Sequence, residues 1–250
     1  MKALFTTLIY QPIFNIFVGF YWLIPDMGVV ILLVTILSKI LLYPLTTKSI
    51  KAQRSLTELQ PKLEELKKQY KDDQTKMAAE TMKLYREHKI NPLSSCLPIL
   101  IQLPIFIALY WVLESVLKSG QFDLLYPFIK NPGTIKTVTF GFLDLHQPSI
   151  VMAVLAGAAQ YWQARSMINK KSPTSVKAPG EENNMSAMMN KQMLYFMPAM
   201  TVIVGWQLSA GLTLYWFFST VLTALQQEYI LRRSTSSGKL DKVIEGKIVS

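Results

Sequence analysis

Cysteine is almost absent: Cys96 is the single one in 250 residues. No intramolecular disulfide can form, and with no second Cys or His near it a metal site there is disfavoured. Histidine is nearly as scarce. His88 and His146 stand far apart, without partners at triad or ligand spacing. The sequence also lacks a Ser/His/Asp set, a Gly-rich phosphate loop and paired carboxylates within an apolar stretch. An enzyme is therefore disfavoured, and no catalytic residue, cofactor or metal is expected. Charge is the third shortage, at 17 % of residues against 50 % hydrophobic. With a positive mean hydropathy, that balance argues against a soluble globule and for an all-α polytopic membrane protein.

A bilayer core of about 30 Å needs roughly 20 mostly apolar helical residues. Five stretches meet that need, and they predict spans at 26–46, 93–117, 148–166, 192–208 and 211–229. The last two come from the long uncharged run 192–227, split by Ser209-Ala210-Gly211, where small residues permit a tight turn. The N-terminal stretch 1–25 has no small-residue cleavage site before Pro25 and Asp26. Gln11, Pro12 and Asn15 interrupt it and aromatics crowd it, so it reads as an amphipathic helix in the membrane interface.

Charge of one sign is concentrated between the spans. Residues 46–92 hold eleven Lys or Arg, 165–191 hold five and the tail after Gln227 holds five, whereas 118–147 hold three. By the positive-inside rule the N-terminus lies outside and the C-terminus in the cytoplasm, with 118–147 an extracytoplasmic loop. The net charge of +10 is thus a matter of loops, and no sequence-specific nucleic-acid partner is expected.

Segment 47–92 is patterned as a cytoplasmic helical hairpin. Leu56, Leu59, Leu63, Leu66 and Tyr70 keep coiled-coil spacing, and Met77, Thr81, Leu84 and His88 repeat it less cleanly. Between them Lys71-Asp72-Asp73-Gln74 is a polar turn that offers a capping Asp. At 1.5 Å per residue the hairpin reaches about 35 Å. Loop 167–191 and tail 230–250 are rich in polar residues and read as loose. No internal repeat is present, which speaks against inverted-repeat transporters.

Polarity inside the spans carries the functional reading. Lys39 is the only charge of the first span and shares a helix face with Thr35 and Ser38. Gln102 adds to it from the second span, Gln160 and Gln163 from the third, Ser219 and Thr223 from the fifth. A mid-membrane charge costs roughly 2.5–3.5 kcal/mol on insertion scales, so it faces a bundle interior or water. Snorkelling to the headgroups would also accommodate Lys39. The hydroxyl and amide neighbours favour a hydrated groove open to the cytoplasm. Tyr215, Trp216 and a Met-rich run from Met185 to Met200 supply adaptable apolar surface for varied hydrophobic helices.

Three stretches then carry a resemblance: LLYPLTTKSIKAQRSLTELQPKLEELKKQYKDD, MKLYREHKINPLSSCLPILIQLPIFIALYWVL and FMPAMTVIVGWQLSAGLTLYW. Over about residues 11–233 the chain closely resembles the YidC/Oxa1/Alb3 family of membrane protein insertases, in a minimal bacterial form. The resemblance implies a five-transmembrane-helix core around a groove closed to the outside, ATP-independent insertion and folding of membrane proteins in the bacterial plasma membrane, and action alone or beside the Sec translocon. It places Lys39 where the family carries an arginine, Thr35 at a neighbouring groove threonine, and Tyr215 and Trp216 at substrate-contacting aromatics. Lysine keeps the charge but loses the planar donor fork. Ser94-Ser95 stand where Gly-Gly is common, and Trp216 is bulkier than the usual Tyr. The partners implied are nascent membrane proteins, the Sec translocon and membrane lipids, with the ribosome a candidate for the hairpin and basic tail. Two other readings stand beside it: a small-solute or ion transporter using Lys39 as its binding charge, and a lipid-perturbing scaffold without protein clients.

Overall fold

The structure is a computed structural model that describes residues 2–71, 73–88, 90–91, 97–116, 122–167 and 191–236. Most of loop 167–191, the last part of the tail, Ser94, Ser95 and Cys96 lie outside them. The described chain is mostly helical, with one small strand pair inside the irregular segment 122–149. Its helices are α1 (Lys2–Phe5), α2 (Gln11–Leu23), α3 (Met27–Leu41), α4 (Tyr43–Gln69), α5 (Gln74–Glu87), α6 (Leu97–Glu114), α7 (Ile150–Met167), α8 (Met197–Gln207) and α9 (Ala210–Ser236). π-Helical turns at Thr6–Tyr10 and Gln192–Phe196 lead into α2 and α8.

No single described helix is long and apolar enough to cross a membrane. The pair α3 and α4 qualifies together, and Gln102–Glu114 is a shorter apolar stretch. Within the expected span 26–46 the helix breaks at Leu42, two residues before Pro44. A proline ring clashes with the carbonyl four residues back and disfavours helical backbone just before it. Leu42 accordingly leaves the helix at φ −91° and ψ 2°, its N–H reaching the carbonyls of Ser38 and Ile40.

The chain forms two compact units, the first comprising Met1–Tyr43, Ile99–Gln160 and Pro198–Leu222. Its core gathers Phe14, Phe17, Val18, Val30, Ile31, Leu109, Val112 and Leu212 around α2, α3, α6 and the start of α9. Strands β1 (Val138–Thr139) and β2 (Leu143–Asp144) pair antiparallel, Val138 opposite Asp144 and Thr139 opposite Leu143.

The polar residues of the N-terminal stretch do not interrupt its helix. Pro12 follows the π turn Thr6–Tyr10, where Gln11 N–H reaches back to the Thr6 carbonyl, a wider turn that accommodates the proline within a continuous helix. Asn15 is 2 % exposed. Its Nδ2 donates to the carbonyls of Gln11 (2.8 Å) and Leu124 (2.9 Å), and its Oδ1 accepts from Tyr126 N–H (2.7 Å). It is a clamp that holds the chain at 124–126 against α2.

A second clamp is built on Asp26, the N-cap of α3. Its carboxylate accepts from the N–H groups of Gly28 (2.9 Å), Val29 (3.2 Å) and Phe140 (3.2 Å) and from the Thr139 hydroxyl. Partial burial opposes its charge, but these donors prevail and hold the carboxyl below its ordinary 3.8. A depressed folded pKa means stability that is complete above 3.8 and lost as pH falls through the folded value. Asn is an equally good N-cap. In detergent, the wild-type melting temperature should therefore fall below that pH more steeply than that of Asp26→Asn; parallel curves would show that the charge contributes nothing.

The second unit comprises Pro44–Pro98, Tyr161–Met197 and Thr223–Ser250. Side chains tie the start of α4 to the ends of α7 and α9. Gln226 Nε2 donates to Thr46 Oγ1 (2.8 Å) and Thr47 Oγ1 (3.3 Å), and Ser166 Oγ to Gln227 Oε1 (3.0 Å). Trp162 Nε1 donates to Glu228 Oε1 (3.2 Å). Arg54 pairs with Glu58 (2.8 Å) and donates to the Met167 carbonyl (3.1 Å), one of the last carbonyls of α7. Asp73 caps α5 by accepting from Lys76 N–H (2.9 Å), and Lys62 Nζ meets His88 Nε2 at 3.0 Å.

Candidate functional site

In the first unit, α3 carries three of the expected site residues. Thr35 is fully buried, and its hydroxyl donates to the Ile31 carbonyl (2.6 Å), while Ser38 Oγ donates to the Thr35 carbonyl (2.7 Å). Both hydroxyl protons are thus committed to the helix itself, an arrangement that Ser and Thr adopt inside helices. Lys39 is half-buried in the last turn of α3, where the unpaired carbonyls of a helix C-terminus favour a cation. An unbroken first span would have left Lys39 about two turns from the helix end. Tyr43-Pro44 was the signal for the earlier stop.

Helices α6 and α9 meet through a neutral polar chain. Gln102 Nε2 donates to Tyr215 Oη, and Tyr215 also bonds Ser219, one turn further on. Phe106, one turn after Gln102, lies with its ring 6.5 Å from that of Tyr215 and edge-on to Trp216 at 5.9 Å. The phenol is buried in the core cluster, whereas Trp216 is half-buried. Tyr215 therefore sets the position of Gln102 from below, and Trp216 is the more accessible of the two aromatics. Phe106 was not singled out from the sequence, although its i+4 spacing from Gln102 puts it on the same face. Gln160 is half-buried on α7, and Gln163 and Thr223, also half-buried, belong to the second unit.

Chemically, these residues offer one cation, several hydrogen-bonding groups and aromatic surface. Among the described residues no group of His, Cys, Asp and Glu gathers where it could hold a metal ion. Around them the usual burial pattern is inverted. Thr35, Thr213, Ser219 and Thr220 are buried, while Ile40, Leu100, Leu103, Ile107, Trp111, Val151, Val154 and Ile203 are exposed. Leu100, Leu103, Ile107 and Trp111 recur at three- and four-residue steps, so α6 turns one continuous apolar stripe outward. So much apolar surface is costly in water and ordinary in a bilayer.

Comparison with known proteins agrees with that environment. The chain is 36 % identical over 208 residues to the membrane protein insertase YidC of Fusobacterium nucleatum, a match covering 83 % of this chain and 87 % of that protein. It is 34 % identical over 242 residues to the protein of the same name from Psychromonas ingrahamii, covering 96 % of this chain but only 38 % of that longer relative. A crystal structure of an active YidC insertase with its first transmembrane domain resolved matches at a TM-score of 0.55 and 28 % identity, over 88 % of this chain and 46 % of that one. The sequence model of the 60Kd inner membrane protein family matches residues 18–237, and with that match covering most of the chain, the protein belongs to the 60Kd inner membrane protein family, that of the YidC insertases.

Proposed function

We infer that the protein is a membrane protein insertase and chaperone, which admits nascent helices laterally and passes their polar tails along a hydrophilic groove without ATP. Its similarity to YidC insertases over most of the chain carries the reading. The half-buried cation on α3 and the outward apolar stripe on α6 suggest a mechanism. Lys39 attracts the acidic tail of a client and keeps water near it, lowering the cost of moving charge into the membrane. Thr35 and Ser38 shape the wall on which Lys39 stands. Gln102 and Gln160 give the tail exchangeable hydrogen bonds, buried Tyr215 and Ser219 hold Gln102 in place, and Trp216 packs on the tail's apolar part. Gln163 and Thr223 prolong the polar faces of α7 and α9 by about one turn, being three and four residues beyond Gln160 and Ser219.

The accompanying topology is five crossings with an interfacial N-terminal helix, the N-terminus outside and the C-terminus in the cytoplasm. The segment 47–92 forms a cytoplasmic hairpin, a reading favoured by the Lys62–His88 contact and by the polar turn before Asp73. Its basic residues and the tail face the ribosome or headgroups, and the Sec translocon is a working partner.

In reconstituted vesicles, Lys39→Leu should reduce insertion of a single-span client with an acidic N-terminal tail severalfold, and Lys39→Arg should restore it. Undiminished insertion by Lys39→Leu would remove the cation from the mechanism. A photocrosslinker at Trp216 should capture the nascent client; a protein that supports no insertion and captures none is not an insertase.

A further inference from the structure

The β1–β2 hairpin ends in a tip that the rest of the chain does not use. Between the strands, Phe140 and Gly141 both have positive φ, 53° and 79°, and Phe142 N–H returns to the Thr139 carbonyl at 3.2 Å. This is the primed turn that suits a hairpin, and its first central position is normally filled by Asn, Asp or Gly. Here a phenylalanine occupies it. Bulky side chains rarely adopt that backbone, and this one gains little packing in return, since Phe140 is 46 % and Phe142 79 % exposed. Among the described residues nothing lies within 4 Å of where a Gly141 side chain would begin.

The base of the tip is held firmly. Asp26 accepts from the Thr139 hydroxyl and from Phe140 N–H, and Lys136 N–H donates to Tyr21 Oη at 3.0 Å. In the same unit, Phe128 is 80 % and Trp22 62 % exposed, with the Lys130 ammonium 6.0 Å from the Trp22 ring. Strain without internal compensation, on a preorganised base, points to a partner outside the chain. Aromatic rings interspersed with lysines match the boundary between phospholipid headgroups and acyl chains, where aromatic rings sit at headgroup level. The exposed Leu23 and Ile24 extend the same apolar surface back toward α2.

We propose that the Phe140-Gly141-Phe142 tip, with Phe128 and Trp22 of the same unit, is a lipid anchor that inserts into the headgroup and upper acyl region of the bilayer. It goes beyond the insertase reading and rests only on the protein's membrane location. A fixed anchor would set the height of the first unit in the bilayer.

The test uses the full chain carrying Cys96→Ser and Phe142→Cys, labelled with bimane, in vesicles of phosphatidylethanolamine and phosphatidylglycerol. Lipids bearing a nitroxide high on the acyl chain should quench this label several times more strongly than the same label at exposed Lys83→Cys, and aqueous iodide several times less. Equal iodide quenching at the two positions would overturn the anchor. So would shielding that appears only as the protein-to-lipid ratio rises, since a second copy would then be the occupant. Phe140→Gly separates anchoring from packing: it relieves the positive φ, so the melting temperature should hold or rise while lipid quenching at position 142 falls. Unchanged lipid quenching would show that Phe140 has no part in the contact. Client insertion is measured separately, so loss of the anchor and loss of the insertase reading are distinguishable.

Discussion

Gly157→Leu should lower the melting temperature of the detergent-solubilised protein by roughly 2–12 °C, because overpacking costs about 1–3 kcal/mol and each kcal/mol shifts a protein of this size by about 2–4 °C. Gly157 is where α7 comes closest to α8. A Cβ there would overlap Val202 Cγ2 and lie 3.1 Å from the Pro198 carbonyl oxygen. A valine methyl can rotate away, but a backbone oxygen cannot move without the helix. Leucine must therefore push α8 outward and with it the start of α9, where Thr213 Oγ1 reaches the Gly205 carbonyl at 3.0 Å. Small residues are the means by which membrane helices approach closely, since lipid gives little hydrophobic drive for them to associate. The neighbouring position supplies the control: Ala158 is exposed, so Ala158→Leu should melt like wild type. Equal melting of the two variants would show that α7 and α8 are not held by this approach.

The structure rewards some sequence signals and corrects others, and the difference is physical. Periodicity reports which face of a helix is covered. Met77, Thr81, Leu84 and His88 are half-buried on α5, and Leu59 is buried on α4, because packing acts on whole faces. Asp73 caps α5 because an unpaired helix start needs a local acceptor whatever the tertiary context. Hydropathy alone could not place the end of α3. It registers side-chain polarity and not the steric demand of Pro44, so the apolar run was read through a break the backbone cannot avoid. Nor could it reveal which polar groups pair over long distances. Gln102 with Tyr215, and Gln226 with Thr46, are joined only once the chain has folded.

The same distinction sharpens the groove. Sequence placed Thr35, Ser38 and Lys39 on one face, and all three were read as polar lining. In the structure the two hydroxyls give their protons to their own helix, which leaves the cation as the element of α3 able to act on a client over a distance. Lys39 also gains from the early end of α3, whose terminal carbonyls favour its charge. Buried Tyr215 likewise contributes by holding Gln102 and Ser219, while Trp216 presents the accessible ring.

Asn15→Leu is expected to destabilise the protein by roughly 1–3 kcal/mol, the cost of one donor left unpaired, since the Tyr126 N–H loses its acceptor whereas the Leu124 carbonyl keeps Gln11 Nε2 at 3.3 Å. Leucine keeps the branched outline of Asn but is bulkier, so at this buried site some overpacking adds to the loss of the hydrogen bonds. The Leu124 carbonyl and the Tyr126 N–H would lose the partner that holds them at 2.9 and 2.7 Å. The amide of Tyr126 should then exchange with deuterium much faster, while amides within α7, far along the chain, keep their protection. Asn15→Asp separates the two halves of the clamp. Its carboxylate can still accept from Tyr126 but cannot donate to Leu124, and at 2 % exposure its charge is heavily penalised. Burial raises the pKa of such a carboxyl, so the protonated form, stable in the fold as pH falls, regains the donor to Leu124. Measured against wild type at each pH, the aspartate variant should recover stability on acidification, whereas the leucine variant should stay equally impaired. A leucine variant that melts like wild type, with Tyr126 still protected, would show that the 124–126 segment is held by packing of Phe14 and Phe122, whose rings lie 6.3 Å apart, and not by the Asn15 clamp.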